Sequence, residues 1–427
     1  MPHHIQLLKQ SFGISFLLNC IVKVLWVLAI DRQVQLMVSP QVYGQYYTLF
    51  QATLVGTVLL DFGIHNYFTV HFTNSTKAVR LLHYYKLLRI KLVLAALYII
   101  TCSIVAIVLH IQPYGLLLCI LLVHCSNSLL LYIRTLLTSN QQYLADAYVS
   151  IADKALAIIY LSYYIYHSHT ISIYLYVVVQ LVSTCAIIII CFLYIRPKQT
   201  HNQVTITALP VRHFIHILPY TLLLLSMGIL LRVHVLLLQY LSIQGSQQVA
   251  QYAFGFRLLD AFNTIGYMVA AYLFPYLCKH ISNRLIVSKV VQQATALLLL
   301  SAICFVIITY ISGPYITQLL YYTTEPVIVS IIQHMAIATL GCSLVHVYGT
   351  VLTASGGIKH FLYCTVVVAV CSISINYVVI PYYGALGASY VCAATQLCYG
   401  IVLYVYCVYH KLVMPYSLGT VFKGYSK

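Results

Sequence analysis

The chain has 427 residues, 62% of them hydrophobic and only 7% charged, with a formal net charge of +16 and a mean hydropathy of +0.92. No soluble core needs that much apolar surface, so soluble domains are excluded and a polytopic membrane protein is indicated. The positive charge would suggest nucleic acid in a soluble chain; here its placement along the spans carries the meaning, and no nucleic-acid partner is expected.

The chain begins with a single lysine, Lys9, before a first apolar run that reads as a retained helix and not as a cleaved signal. Runs of spanning length then follow at Ser11–Val38, Tyr43–Val70, Tyr84–Leu109, Tyr114–Leu137, Tyr143–Ile165 and Ile171–Ile195. Six more occur at Phe214–Leu241, Val249–Leu277, Leu285–Ile311, Val327–Thr353, Phe361–Ile380 and Ala385–Tyr409. Each is near the roughly 20 residues that a bilayer requires, so twelve transmembrane helices are predicted.

Basic residues alternate between the connections. Lys77, Arg80, Lys86, Arg89 and Lys91 surround the second, Arg196, Lys198 and Arg212 the sixth, Lys279, Arg284 and Lys289 the eighth, and Lys359 the tenth. Lys411, Lys423 and Lys427 follow the last span, whereas the connections at 110–113, 166–170, 242–248, 312–326 and 381–384 hold no Lys or Arg. The positive-inside rule therefore places both termini and all even connections in the cytoplasm, and sixteen of the 22 basic residues serve as an orientation signal facing anionic membrane lipid.

The remaining charges fall within or at the ends of spans. They are Lys23, Arg32, Arg134, Lys154, Arg232 and Arg257, with Asp31, Asp61, Asp146, Asp153 and Asp260; only Glu325 lies in an outer connection. An ionisable group in the hydrocarbon region costs roughly 2.5–3.5 kcal/mol on insertion scales, so such residues mark partners or wet cavities. The eighth span sets Arg257, Asp260, Thr264 and Tyr267 at helical spacing. The fourth has His124, Asn127 and Arg134, the fifth Asp146, Ser150, Asp153 and Lys154, and the tenth Ser343, His346, Thr350 and Thr353. Asn19 and Lys23 add to the first span, Arg232 and His234 to the seventh. A single stripe of this kind is ordinary interhelical glue, but several holding eleven charges suggest a shared central cavity with excess positive charge. Lys23, Arg32, Arg134, Arg232 and Arg257 are the candidate substrate-binding cations. Asp61, Asp146, Asp153, Asp260 and His234 are candidates for ion coupling or charge balance, and Asp153 and Asp260 have Lys154 and Arg257 close enough in sequence to be simple counter-ions.

The long polar connection Arg196–Arg212 divides the spans into two sets of six, at 1–200 and 201–427. Six crossings return to the starting side, so the halves share one orientation and read as parallel repeats. Aligning Gln45 with Gln251 brings Tyr46 onto Tyr252 and Phe50 onto Phe256, and VVQLV around Gln180 echoes ATQLC around Gln396. The 14 cysteines lie almost entirely in apolar runs with no CxxC pair and no His/Cys metal spacing, so they read as small buried hydrophobes, and no metal or cofactor is expected.

The stretch MVSPQVYGQY followed by LLDFGIHNYF resembles the L-S-P-E-E-Y-G-x-Y and D-x-G-L signature of Wzx-type polysaccharide flippases, members of the superfamily that holds the MATE drug exporters and the lipid II flippase. Later segments, LPYTLLLLSMGILLRVHVLLLQYL, VYGTVLTASGGIKHF and PYYGALGASYVCAATQL among them, extend the resemblance along essentially the whole chain. It departs where the family often has Arg before the turn and this chain has Leu36, with Arg32 one turn earlier. It departs again where the family often has R-x-D and this chain reads Arg232-Val233-His234, so no coupling carboxylate is carried over to that position. The resemblance implies an all-α protein of two six-helix lobes rocking about a cationic cavity, in a bacterial cytoplasmic membrane. It implies a substrate of undecaprenyl-diphosphate-linked oligosaccharide, and a polysaccharide polymerase as a possible partner. Arg and Lys in a desolvated cavity suit a diphosphate or an acidic sugar. A drug or cation antiporter is the rival within the superfamily, although it would call for an anionic cavity. A membrane-embedded polymerase is the enzymatic rival; its chemistry calls for a sizeable outer loop with paired carboxylates, and Gly313–Pro326 offers one, Glu325.

Overall fold

The computed structural model describes residues 18–415 except 20, 63, 65–76, 109–110, 141, 169, 196–211 and 282, with only the backbone described at 77–82, 143, 212–217 and 275. The expectations for the side chains of Lys9, Lys77, Arg80, Arg196, Lys198, Arg212, Lys423 and Lys427 concern positions outside that set. Among the described residues every regular element is helical. A π-helical turn, Trp26–Asp31, runs into α1 (Arg32–Met37). There follow α2 (Pro40–Gly56), α3 (Val58–Asp61), α4 (Lys77–Val108), α5 (Tyr114–Ser139), α6 (Tyr143–Ser168) and α7 (Ile173–Ile195). The chain continues through α8 (Arg212–Leu241), α9 (Gly245–His280), α10 (Arg284–Tyr321), α11 (Pro326–Ala354) and α12 (Ile358–Tyr409).

Local chemistry sets several boundaries. The Ser-Pro turn starts α2: Ser39 is extended (ψ 144°), as the residue before a proline prefers, and its Oγ faces the Val42 N–H at 3.5 Å. Asn283 caps α10 by accepting from the Ile286 N–H at 3.2 Å. Two expected connections are absent as loops. The outer connection placed at 312–326 is mostly helix, since α10 continues through Pro314 to Tyr321 and only 322–325 separate it from α11. Around this proline the Thr317 hydroxyl donates to the carbonyls of Gly313 and Pro314 at 3.2 and 2.9 Å, and the Gln333 amide of α11 donates to the Thr309 carbonyl at 3.4 Å. The connection at 381–384 is a kink: α12 holds both the eleventh and twelfth predicted spans, broken by Gly384 at φ 52°, ψ −134°.

The chain groups into two compact units, Met1–Thr221 and Leu222–Lys427. Within the first, Tyr84 of α4 stacks on Tyr132 of α5 (centroids 4.7 Å apart), and the Tyr132 hydroxyl donates to the Tyr84 carbonyl at 2.8 Å. Within the second, α11 packs against α9, α10 and α12. The contact with α12 is backbone to backbone: a Cβ on Gly400 would stand 2.6 Å from the Gly341 carbonyl oxygen. Small residues allow such approaches in membrane interiors, where hydrophobicity does not drive helices together. The residues that suggested a repeat occupy like settings. Tyr46 and Phe50 pair one turn apart at 5.8 Å, Tyr252 and Phe256 at 5.7 Å, and Gln180 and Gln396 are both buried.

Candidate functional site

The first unit gathers its polar groups around the π-turn. A π-turn widens the helix and recurs at functional positions. Trp26 within it stacks on Tyr176 of α7 at 5.7 Å, and the Lys154 ammonium of α6 stands 5.1 Å from the Trp26 ring centroid. At the end of the turn, Asp31 accepts from the hydroxyls of Tyr176 (3.0 Å) and Tyr43 (3.4 Å). Tyr43, Tyr46 and Tyr176 are all buried and pack ring against ring, with the Tyr43 and Tyr176 hydroxyls turned towards the carboxylate. Tyr43 and Tyr176 did not stand out in the sequence, because neither belongs to a polar stripe and Tyr176 lies 145 residues from Asp31.

Next to this ring, Asp153 Oδ2 lies 3.6 Å from Lys154 Nζ. Thr184 Oγ1 donates to the Gln180 carbonyl at 2.9 Å and lies 3.4 Å from both Asp153 Oδ2 and Asn127 Oδ1. The Asn19 amide donates to Ser150 Oγ at 2.9 Å, joining the first predicted span to α6. Arg134 forks onto Asp146, Nε to Oδ1 at 2.7 Å and a terminal nitrogen to Oδ2 at 3.3 Å. The stripe predicted on α5 is therefore divided among three partners: His124 contacts Thr53 Oγ1 at 3.2 Å, Asn127 faces Thr184, and Arg134 binds Asp146.

Lys91 corrects the sequence reading. Its sequence position groups it with the orientation signal, yet it is buried in α4 and its ammonium lies 3.3 Å from Asp61 Oδ1 and 3.1 Å from the Leu60 carbonyl. The Tyr132 ring adds a cation–π contact at 5.6 Å. Asp61 is thus within ion-pair distance of Lys91, with its own side chain 42% exposed. The missing signal was long-range, because the pair is 30 residues apart in sequence.

In the second unit α9 carries the polar face. Arg257 and Asn263 are buried, and the Thr264 hydroxyl donates to the Asp260 carbonyl at 3.1 Å. His346 of α11 contacts Asn263 Oδ1 through Nε2 at 3.4 Å and meets the Tyr267 ring edge-on at 4.6 Å. Asp260 and Arg232 both lie close enough to Tyr267 to act on it electrostatically. Asn263, Tyr267, Cys342, His346 and Gln396 line a small cavity of about 40 Å³, room for one or two waters. His234 is fully buried beside the Tyr252 ring (centroids 6.3 Å apart). Lys23 and Arg32 flank the π-turn in the first unit, half-buried and in contact with neighbouring groups. Among the described residues, no group of His, Cys, Asp or Glu could hold a metal.

With Lys91 added, the bases within the helices are Lys23, Lys91, Arg32, Arg134 and Lys154 in the first unit and Arg232 and Arg257 in the second, against the acids Asp31, Asp61, Asp146 and Asp153 in the first and Asp260 in the second.

No protein-family model matches the chain, and no curated protein matches it by sequence. Solved structures do. An inward-facing multidrug resistance MATE family transporter of the MOP superfamily superposes with a TM-score of 0.69 at 12% identity, covering 95% of this chain and 96% of that one. The lipid II flippase MurJ in an inward closed conformation gives 0.68 at 12%, over 94% and 88%. A MOP superfamily transporter from Pyrococcus furiosus, described as having a binding pocket of reverse polarity that suggests a different function, gives 0.69 at 12%, over 96% and 95%. The chain therefore has the fold of these transporters along nearly its whole length, an all-α, multi-pass membrane architecture.

Proposed function

We propose that this chain is a flippase for an anionic, lipid-linked oligosaccharide. It would carry an undecaprenyl-diphosphate-linked repeat unit from the cytoplasmic to the outer leaflet of a bacterial cytoplasmic membrane, for surface polysaccharide assembly. The two sets of six spans, 1–200 and 201–427, are the lobes that exchange access, and both termini are cytoplasmic. The observation that carries this reading is the excess of interior bases over acids, because fixed cations in a poorly hydrated setting select a diphosphate over an organic cation. Three of the five acids, Asp61, Asp146 and Asp153, are each within 4 Å of a base. That leaves little free negative charge for a cationic drug. The fold is shared with a lipid II flippase and with a transporter whose pocket polarity is described as reversed, which fits the reading.

The test uses the full chain in vesicles loaded with a fluorescent lipid-diphosphate oligosaccharide, scored by quencher access from one side. Flipping should be lost in Arg257→Gln and reduced in Arg232→Gln. Efflux of a cationic dye, with no effect on the oligosaccharide, would instead establish the antiporter reading.

A further inference from the structure

The residues that follow α12 lie across the second unit as a strap. α12 ends in a Schellman turn: the Leu412 N–H donates to the Cys407 carbonyl at 2.9 Å and the Lys411 N–H to the Val408 carbonyl at 3.0 Å. The turn puts Lys411 in the left-handed region at φ 56°, a conformation that glycine usually supplies. The chain then reverses onto the start of α10, where three side chains take its main-chain groups in order. Arg284 Nη2 donates to the Val413 carbonyl at 3.3 Å, Ser288 Oγ accepts from the Met414 N–H at 2.8 Å, and the Gln292 amide donates to the Pro415 carbonyl at 2.9 Å.

Arg284, Ser288 and Gln292 are spaced i, i+4, i+8, so they form a ladder along one face of α10. Val413 is 1% exposed and belongs to the apolar cluster that holds Val287 and Val291 of α10 with Leu403 and Cys407 of α12. α10 and α12 each pack on α11, and the strap links the start of the first to the end of the second.

The forces on the strap nearly cancel. Among the described residues, three hydrogen bonds to the ladder and one fully buried side chain, Val413, hold it down, while Lys411, Met414 and Pro415 are exposed. Opposing them are the ordering of five residues and the left-handed backbone of a non-glycine residue. Arg284 Nε is also buried in the docked form with no acceptor among the described residues, which weakens the ladder further.

We infer that Lys411–Pro415 is a releasable strap. Docked, it pins the start of α10 to the end of α12; released, it leaves the ladder open and those two helix ends free to part. The device belongs to the second unit alone and holds whatever molecule the chain transports.

The experiment is pulsed electron spin resonance on the full chain, with labels at the exposed Lys289 and Met414. The labels are carried on an unnatural amino acid, because the chain's 14 cysteines would compete for a thiol label. The otherwise unaltered chain should give two components, a narrow docked distance and a broad released one. Ser288→Ala combined with Gln292→Leu should move the population several-fold towards the broad component. Lys411→Gly, which relieves the left-handed backbone, should move it several-fold towards the narrow one. Thermal melting should stay unchanged in both. A single component in the otherwise unaltered chain, or a distribution that neither change moves, overturns the inference. So does a melting temperature that falls together with the docked distance, because strap and core would then unfold as one. If the double variant fails to fold, Lys411→Gly decides alone: the narrow component must grow.

Discussion

Arg134 and Asp146 form a two-point ion pair across the turn between α5 and α6, with heavy-atom distances of 2.7 and 3.3 Å. Their side chains are 25% and 14% exposed, so neither charge is well hydrated on its own. Removing one partner from a buried pair costs about 3–5 kcal/mol, and the partial exposure here lowers that figure. Arg134→Met should therefore reduce the melting temperature of the purified chain sharply, and Asp146→Asn in the same molecule should restore much of it. A double variant no more stable than Arg134→Met would show that the pair is not the source of the loss.

Asp153 and Lys154 are expected to behave differently from a coupling site. Asp153 also meets Thr184, which in turn faces Asn127, so Thr184 joins α5, α6 and α7 at this point. We expect Asp153→Asn to lower protein abundance while any flipping that remains keeps its dependence on an imposed ion gradient, and Lys154→Gln to recover abundance in the double variant. Loss of gradient dependence at unchanged abundance would make Asp153 a coupling carboxylate instead.

The π-turn predicts a distinct phenotype for Tyr176→Phe. The change keeps the stacking on Trp26 but removes the shorter of two hydroxyl bonds to Asp31. A hydrogen bond to a charged group is worth about 1.5–3 kcal/mol. Trp26 fluorescence should change little, while stability falls by an amount in that range. The chain's only tryptophan makes this readout unambiguous.

Gly384 is the one residue inside α12 with non-helical backbone angles, at φ 52°, ψ −134°. A side chain there is strained, and a Cβ would collide with the Gln248 amide oxygen, which accepts from the Ala385 N–H at 2.7 Å. Strain of this type costs about 1–3 kcal/mol. Gly384→Ala should destabilise the chain by at least that much, measured by thermal melting in detergent. Gln248→Ala, which frees the space, should make the glycine substitution less costly.

These residues also show what the sequence could and could not reveal. Spans were legible because burying or lipid-exposing twenty apolar residues leaves a composition that no other setting produces. Charges of one interior network were legible as intramembrane for the same reason. Their partners were not: Asp61 finds Lys91 30 residues away and Asp31 finds Tyr176 145 away, distances at which periodicity carries no information. Lys91 was misplaced because counting bases near helix ends does not distinguish a lysine in the headgroup layer from one folded inward against Tyr132. The extension of α10 through Pro314 was hidden because a proline followed by a polar stretch ordinarily marks the end of a span, whereas here the helix continues to Tyr321.

The sharpest functional prediction concerns Arg257. It is 4% exposed on α9, one turn before Asp260 and two before Thr264, in a stretch whose other buried side chains carry no charge. A guanidinium held at such depth is costly unless its charge is used. Lysine keeps the charge but lacks the planar fork that binds phosphate at two points, so charge and geometry can be separated. Under the flippase reading, Arg257→Lys should retain part of the oligosaccharide-flipping rate with weakened substrate affinity, while Arg257→Gln should lose flipping at normal abundance. If Arg257 only neutralises Asp260, the outcome differs: Arg257→Gln should lower abundance, and adding Asp260→Asn should restore both abundance and flipping. Rescue of flipping in that double variant would remove Arg257 from the substrate site and leave the anion-binding role to Arg232 and the bases of the first unit.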